Sequence, residues 1–170
     1  SFLLQAGGLE KGFEALENKD YYGAKKQFEK LRLKQPVASN YGLSRVHFER
    51  NNPFYDIDLA LIHCNRADSL FEFVSRRETQ TLSESDITRI KLHDFKQEIA
   101  LRAYEDMRQE FSVEKLNHFL KLYKSTTPYA KAVDLSDSVA FDNARREDTF
   151  QSYRQFIIDY PGADQRVVAE

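Results

Sequence analysis

The side chains of this sequence best suited to binding a metal ion are four histidines and one cysteine, and their spacing argues against a metal site. The histidines stand at positions 47, 63, 93 and 118, and no two have the i, i+4 spacing that places two ligands on one helical face. His63 directly precedes Cys64, but adjacent residues of a helix point about 100° apart. A single cysteine also excludes an internal disulfide and a cysteine-based zinc cluster. We predict no metal site.

The residues capable of nucleophilic or acid–base catalysis form no recognisable catalytic motif. The sequence contains neither a Gly-x-Ser-x-Gly turn nor a phosphate-binding glycine-rich loop, and its 6 glycines do not cluster after any predicted strand. Acidic residues such as Asp134, Asp137 and Asp142 are more simply helix-start and solvent-facing charges. We therefore predict no catalytic residue, no cofactor and no enzymatic activity.

Two arginine pairs have the chemistry to hold a carboxylate or a phosphate, because each guanidinium offers two parallel N–H donors. They are Arg76-Arg77 and Arg145-Arg146. The alternative, which we favour, is ordinary exposure to solvent. Arg145 is of more interest, because it occupies the same position as Arg108 in the repeat described below.

The composition predicts a helical protein and gives no reason to expect nucleic acid or a membrane as its partner. Charged residues make up 31% of the 170 residues, yet the net charge is only −2, which gives no broad electrostatic reason to expect nucleic acid or an anionic membrane. No apolar run approaches the roughly 18 residues that span a bilayer. Turn residues are few, with 6 Gly and 4 Pro, whereas Leu, Lys, Glu and Ala are plentiful, which favours helices.

A repeat with a period of 37 residues organises the second half of the sequence, where residues 140–164 align with residues 103–127. The alignment pairs small and aromatic residues: Ala140 with Ala103, Phe141 with Tyr104, Phe156 with Phe119, and Tyr160 with Tyr123. In each copy the small residue precedes the phenylalanine by 16 positions, and the same spacing separates Gly12 from Phe28. A fixed period of this length is typical of stacked helix pairs.

The first predicted helical hairpin resembles the tetratricopeptide repeat family. Small residues stand at Gly12 and Ala24, an aromatic residue at Phe28 and a closing proline at Pro36, each at the spacing of the family motif. Small residues let the two helices approach closely, and the aromatic ring fills the gap to the next pair. The chain departs from the motif at Gly8, where the family has an aromatic residue early in the first helix.

The resemblance implies an all-α fold, a single domain over residues 1–170 in which about four antiparallel helix pairs form a right-handed superhelix. The pairs are predicted at residues 5–36, 37–76, 86–125 and 128–161, with the start of a further helix at 162–170. Polar residues 77–85 lack helical periodicity and are predicted to form a loop. Asp20 is predicted to cap the second helix, and Ser85 or Asp86 the helix after the loop.

The resemblance also implies a concave surface, lined by the first helix of each pair, where family members contact an extended peptide or a partner helix. Carrying the exposed positions over by register gives eight candidate partner-binding residues: Phe13, Glu17, Leu43, His47, Tyr104, Arg108, Phe141 and Arg145. For Tyr104 and Phe141 a place in the core is an equal alternative. The lysine and asparagine set with which some members clamp a C-terminal carboxylate is absent from these positions, so capture of that group is not expected.

We predict a protein–protein interaction scaffold that uses this groove and forms part of a longer bacterial protein. The alternative is a regulatory or sensor module attached to an enzymatic or signalling domain. The ending Tyr160-Pro161 resembles the repeats of periplasmic outer-membrane assembly lipoproteins, which implies the periplasm or the periplasmic face of the outer membrane, with the cytoplasm as the alternative. The stretch from Ser1 to Gly8 fits a signal-peptide remnant or, as we favour, the first turn of a helix.

Overall fold

The computed structural model describes residues 7–169, and every regular element in that range is helical, with no strand. The α-helices are α1 (Gly8–Glu17), α2 (Tyr21–Leu31), α3 (Pro36–Phe48), α4 (Ile57–Leu70), α5 (Arg76–Glu84), α6 (Arg89–Gln109), α7 (Val113–Leu122), α8 (Tyr129–Glu147), α9 (Phe150–Asp159) and α10 (Arg166–Ala169). A 3₁₀ turn, Phe71–Phe73, follows α4. The predicted all-α class is confirmed. Residues 1–6, which carry most of the stretch compared above with a signal peptide, lie outside the described range.

The chain divides into two compact units, residues 1–103 and residues 104–170, and the boundary falls within α6. In the first unit α3 packs against both α2 and α4, and α1 packs against α2. In the second unit α8 packs against α7 and α9. From α1 to α4 and from α7 to α9, helices that are consecutive in the sequence therefore pack against one another.

Phe28 on α2 is the centre of the core of the first unit. Its ring is fully buried, and one edge of it (Cδ1, Cε1 and Cζ) touches two glycines, Gly12 of α1 and Gly42 of α3. A Cβ atom would lie 2.7 Å from Cε1 if built on Gly12 and 2.4 Å if built on Gly42. Phe13 packs edge to face on the same ring, with centroids 5.0 Å apart. The missing side chains therefore let three helices converge on one ring, and the predicted role of Gly12 is confirmed.

The second unit contains the same three-ring aromatic arrangement twice. In the first copy the ring of Tyr104 meets that of Phe119 edge to face, with centroids 5.7 Å apart, and Phe119 stacks on Tyr123 at 4.6 Å. In the second copy the ring of Phe141 lies 5.4 Å from that of Phe156, and Phe156 stacks on Tyr160 at 5.4 Å. The members of each trio are the residues that the 37-residue alignment pairs. The sequence repeat thus corresponds to a repeat of packing.

The loop predicted at residues 77–85 is wrong, because this segment forms most of helix α5. Ser75 caps the helix by accepting a hydrogen bond from the Glu78 N–H at 3.2 Å. Glu78 and Leu82 are its only buried residues, so an apolar periodicity is almost missing from the sequence. The predicted cap of α6 is wrong as well. Asp86 has a positive φ of 53°, and the Thr88 hydroxyl instead accepts a hydrogen bond from the Lys91 N–H at 3.2 Å.

Glu78 joins α5 to the start of α3. Its carboxylate accepts a hydrogen bond at 2.9 Å from the N–H of Val37, in the first turn of α3, where Gln35 offers no side-chain cap. Burial raises the pKa of Glu78, although the hydrogen bonds from the Val37 and Ala38 N–H groups act in the opposite direction. The first turn of α3 is therefore capped by a side chain from another helix.

Candidate functional site

A groove of about 610 Å³ opens in the first unit between α1, α3, α5 and the start of α6. A second hollow of about 470 Å³ continues it along α3 and α6. Tyr41, Arg45 and Lys91 line both, so the two hollows form one depression, which we call the α1–α3–α6 groove.

The floor of the α1–α3–α6 groove is a row of four aromatic rings. Phe13 lies 6.1 Å from Tyr41, Tyr41 lies 5.7 Å from Phe95, and Phe95 lies 5.0 Å from Phe48, measured between ring centroids. Phe48 and Phe95 are buried, whereas Phe13 and Tyr41 are half-buried and line the larger hollow. The floor therefore offers apolar contact to a bound chain and continues into the core beneath it.

The walls of the groove are strongly acidic. Eight acidic side chains line the two hollows, against two basic ones, Arg45 and Lys91. The acidic residues are Glu10, Glu14, Glu17, Glu49, Glu84, Asp86, Asp94 and Glu98. Both basic residues are already paired within the groove, Lys91 with Asp86 and Arg45 with Glu49, the latter at 3.8 Å. The groove thus has a local excess of negative charge that the net charge of the chain does not show.

Two of the predicted partner-binding residues, Phe13 and Glu17, line the groove. Leu43 and His47 do not, and their assignment is corrected, because they are only 1% and 6% exposed. Helix α3 lies between α2 and α4, so ten of its 13 residues are buried. Its half-buried residues that line the groove are Tyr41 and Arg45, two positions before the predicted pair.

The other four predicted residues belong to the second unit and lie outside the α1–α3–α6 groove. Tyr104 and Phe141 are half-buried against core rings, while Arg108 and Arg145 are exposed, and Arg145 pairs with Asp142 at 3.3 Å. A hollow of about 220 Å³ in this unit lies between α8 and α9 and is lined by none of these four. A role for them in partner binding stays a prediction.

His47 is buried and belongs to a stacked pair of histidines rather than to the groove. Its ring stacks on His63 of α4 with centroids 5.6 Å apart and planes within 2°. The Nδ1–H of His47 donates to the Phe54 carbonyl at 2.7 Å, and the Nδ1–H of His63 donates to the Asn40 side-chain oxygen at 2.9 Å. Asn40 in turn donates to the Pro36 carbonyl at 2.7 Å. The pair therefore ties α4 to α3.

The pKa of His63 is lowered to about 4. Burial is the main cause, followed by the positive charges of His47, Arg32, Arg66 and Lys25. The folded chain therefore resists protonation at this ring, while the unfolded chain takes up the proton near the ordinary value of 6.5. The stability contributed by the neutral ring is fully present above that pH and is lost as the pH falls towards about 4.

We expect the wild-type chain to lose about 1 kcal/mol more stability than His63→Gln between pH 6.5 and about 4, a value reduced for screening by water around the partly exposed ring. Urea denaturation at a series of pH values measures the difference. His93→Gln is the matched control, because His93 is exposed on α6, and it should keep the wild-type slope. Parallel pH profiles for the wild type and His63→Gln would contradict the assignment.

Cys64 is buried on α4, and its thiol donates to the Leu92 carbonyl at 3.4 Å. Burial raises its pKa to about 12, so the thiol stays protonated and unreactive at neutral pH. Within residues 7–169 no group of three or more His, Cys, Asp or Glu side chains has a metal-binding arrangement.

Comparison of the chain with protein-family models, with curated proteins and with solved structures found no match. None of the helices between residues 7 and 169 is both long and apolar enough to cross a membrane.

Proposed function

We propose that the chain is a protein–protein interaction scaffold of tetratricopeptide-like architecture and that its α1–α3–α6 groove holds an extended segment of a partner protein. The observation that carries the proposal is the half-buried aromatic floor of Phe13 and Tyr41 at the base of a groove of about 610 Å³. Rigid helices present such a surface without the entropic cost of ordering it on association. Aromatic side chains in a concave site are also the usual anchors of binding energy.

Two features of packing support the architecture. Gly12 and Phe28 make the close helix contact that the family motif requires, and the aromatic trios of the second unit recur with the 37-residue period. Stacked helix pairs complete each other's cores and leave one face of the first helices free. In the first unit that face carries the groove-lining residues of α1, α3 and α6.

Tyr41→Ala is the variant that tests the groove with the least damage to the core, because the ring is only half-buried. Binders would be selected on the wild-type chain from a displayed library of random peptides of about 12 residues, long enough to span the groove when extended. We expect Tyr41→Ala to weaken the selected peptides about tenfold, which corresponds to about 1.4 kcal/mol. Fluorescence anisotropy of labelled peptides measures the affinity.

Tyr22→Ala is the matched control for this experiment. Tyr22 is 71% exposed on α2 and does not line the groove, so its removal should leave the affinity unchanged. Peptides that bind the two variants equally well would show that the groove is not the binding surface.

A further inference from the structure

Helix α1 presents a row of three glutamates to the groove. Glu10, Glu14 and Glu17 follow one another at i, i+4 and i+7, and therefore lie on one helical face. Like charges at this spacing destabilise a helix by a few tenths of a kcal/mol per pair. Glu17 also lies in the last turn, where the helix dipole disfavours a carboxylate and where α1 has no basic residue. Glu14 and Glu17 thus oppose the stability of the helix that carries them, whereas Glu10 caps its first turn by accepting a hydrogen bond at 2.9 Å from the Gly7 N–H.

Helix α6, on the opposite side of the groove, also carries acidic residues one turn apart. Asp94 and Glu98 stand at i, i+4 on α6, on either side of the buried ring of Phe95 in the sequence. Together with Glu14 and Glu17 they make no ion pair within residues 7–169. Carboxylates without basic partners therefore stand on both walls of an aromatic floor.

The groove already holds one cationic side chain of its own, that of Arg45. Its guanidinium lies 5.5 Å from the centre of the Phe95 ring, donates to the Tyr41 hydroxyl at 3.3 Å and pairs with Glu49 at 3.8 Å. One guanidinium is thus already held by a ring face, a hydroxyl and a carboxylate together. At the α1 wall, Phe13 stands among the three glutamates and offers a ring and carboxylates to a second cation.

We propose that the partner segment held by the α1–α3–α6 groove is cationic, an extended chain with lysine or arginine at alternate positions. This inference rests on the proposed function. Successive glutamates of α1 are separated by about 4.5 to 6 Å along the helix axis. Alternate side chains of an extended peptide are separated by about 6.6 Å, so each cation reaches a different carboxylate. The intervening side chains face the aromatic floor, and an acidic segment is repelled.

Three peptide libraries test the charge preference. Each contains labelled peptides of about 12 residues, randomised at alternate positions and carrying Lys, Gln or Glu at all the others. Capture on the immobilised full chain is quantified by fluorescence at about 50 mM and about 300 mM NaCl. We expect the Lys library to be captured about tenfold more than the Gln library and to lose most of this excess at the higher salt concentration. We expect the Glu library not to be captured.

Glu14→Lys/Glu17→Lys is expected to lower capture of the Lys library about tenfold. Both residues are exposed on α1, and far-UV circular dichroism checks that the variant is folded. The milder Glu14→Gln/Glu17→Gln should show a smaller loss in the same direction. The matched control is Glu105→Lys/Glu147→Lys, which makes the same change of charge at two exposed residues of the second unit and should retain the wild-type capture.

The outcomes separate the two proposals. Capture of the Lys and Gln libraries to the same extent, with both losing binding in Tyr41→Ala, overturns the charge preference and leaves the peptide-binding groove standing. An equal loss in the Glu105/Glu147 control also overturns the charge preference, since the attraction would then belong to the whole chain. Failure of all three libraries to bind overturns the peptide-binding groove as well.

Discussion

Phe28→Ala is expected to lower the free energy of unfolding of the first unit by about 3 to 5 kcal/mol, the usual range for removal of a fully buried phenylalanine ring. The ring is 0% exposed and touches α1 and α3 in addition to its own helix. Its loss leaves a cavity that the surrounding helices fill only in part. Urea denaturation followed by far-UV circular dichroism measures the loss as a lower midpoint at unchanged slope.

Phe73→Ala is the matched control for this prediction. Phe73 is 80% exposed and belongs to the same compact unit, so its removal should change the free energy of unfolding by no more than about 0.5 kcal/mol. Similar losses for the two phenylalanine variants would show that Phe28 is not the centre of the core.

Gly42→Ala is expected to destabilise the first unit by about 2 kcal/mol, although alanine is the better helix former by about 1 kcal/mol. The added Cβ would lie 2.4 Å from both Cε1 and Cζ of Phe28, well inside van der Waals contact. The ring cannot withdraw easily, since the same edge also touches Gly12 and the whole side chain is buried. Overpacking therefore outweighs helix propensity at this position.

A double variant separates overpacking from a simple change in helix propensity. Phe28→Leu removes part of the ring edge that meets the new Cβ, so its combination with Gly42→Ala should lose less than the sum of the two single losses. Gly162→Ala is the matched control, because a Cβ at Gly162 meets no atom within 4 Å and its φ is not positive. A neutral or stabilising Gly42→Ala would contradict the contact.

The sequence was informative where packing follows a regular period. The helix pairs of the second unit place small and aromatic residues at fixed positions of an amphipathic face, and the same residues form the two aromatic trios. Asp20 caps α2, as predicted, through a hydrogen bond from the Gly23 N–H at 2.9 Å. Both features are local, since they depend on residues of one helix or of two consecutive helices.

The register of α3 could not be predicted in the same way. A helix that is buried nearly all round has no polar stripe to mark its exposed face, so the positions of Tyr41 and Arg45 follow only from the packing of α2 and α4 on either side. Pro36, predicted to close α2, instead occupies the first turn of α3. Proline is tolerated there because an N–H at this position would have no acceptor within the helix. The motif spacing identified Pro36 as a residue at a helix boundary but assigned it to the end of α2 rather than to the start of α3.

Neither helix α5 nor the acidic groove was predicted from the sequence, and the reason is the same for both. Each depends on side chains far apart in the sequence: Glu78 reaches Val37 across 41 residues, and the acidic residues of α1 and α6 meet only once the first unit is folded. The whole-chain charge of −2 hides the groove because basic residues elsewhere balance it. Composition gave no reason to expect an anionic partner such as nucleic acid, and it carried no sign of the local negative charge of the groove.

The central claim is that the α1–α3–α6 groove binds an extended cationic segment, and backbone amide NMR of the labelled full chain tests it most directly. Titration with a peptide from the Lys library should shift the amide signals of the groove-lining residues of α1, α3 and the start of α6, among them Glu14, Glu17, Tyr41, Arg45 and Asp94. The shifts should disappear in Glu14→Lys/Glu17→Lys. Shifts confined to α2, α4 or the second unit, or unchanged in that variant, would contradict the account.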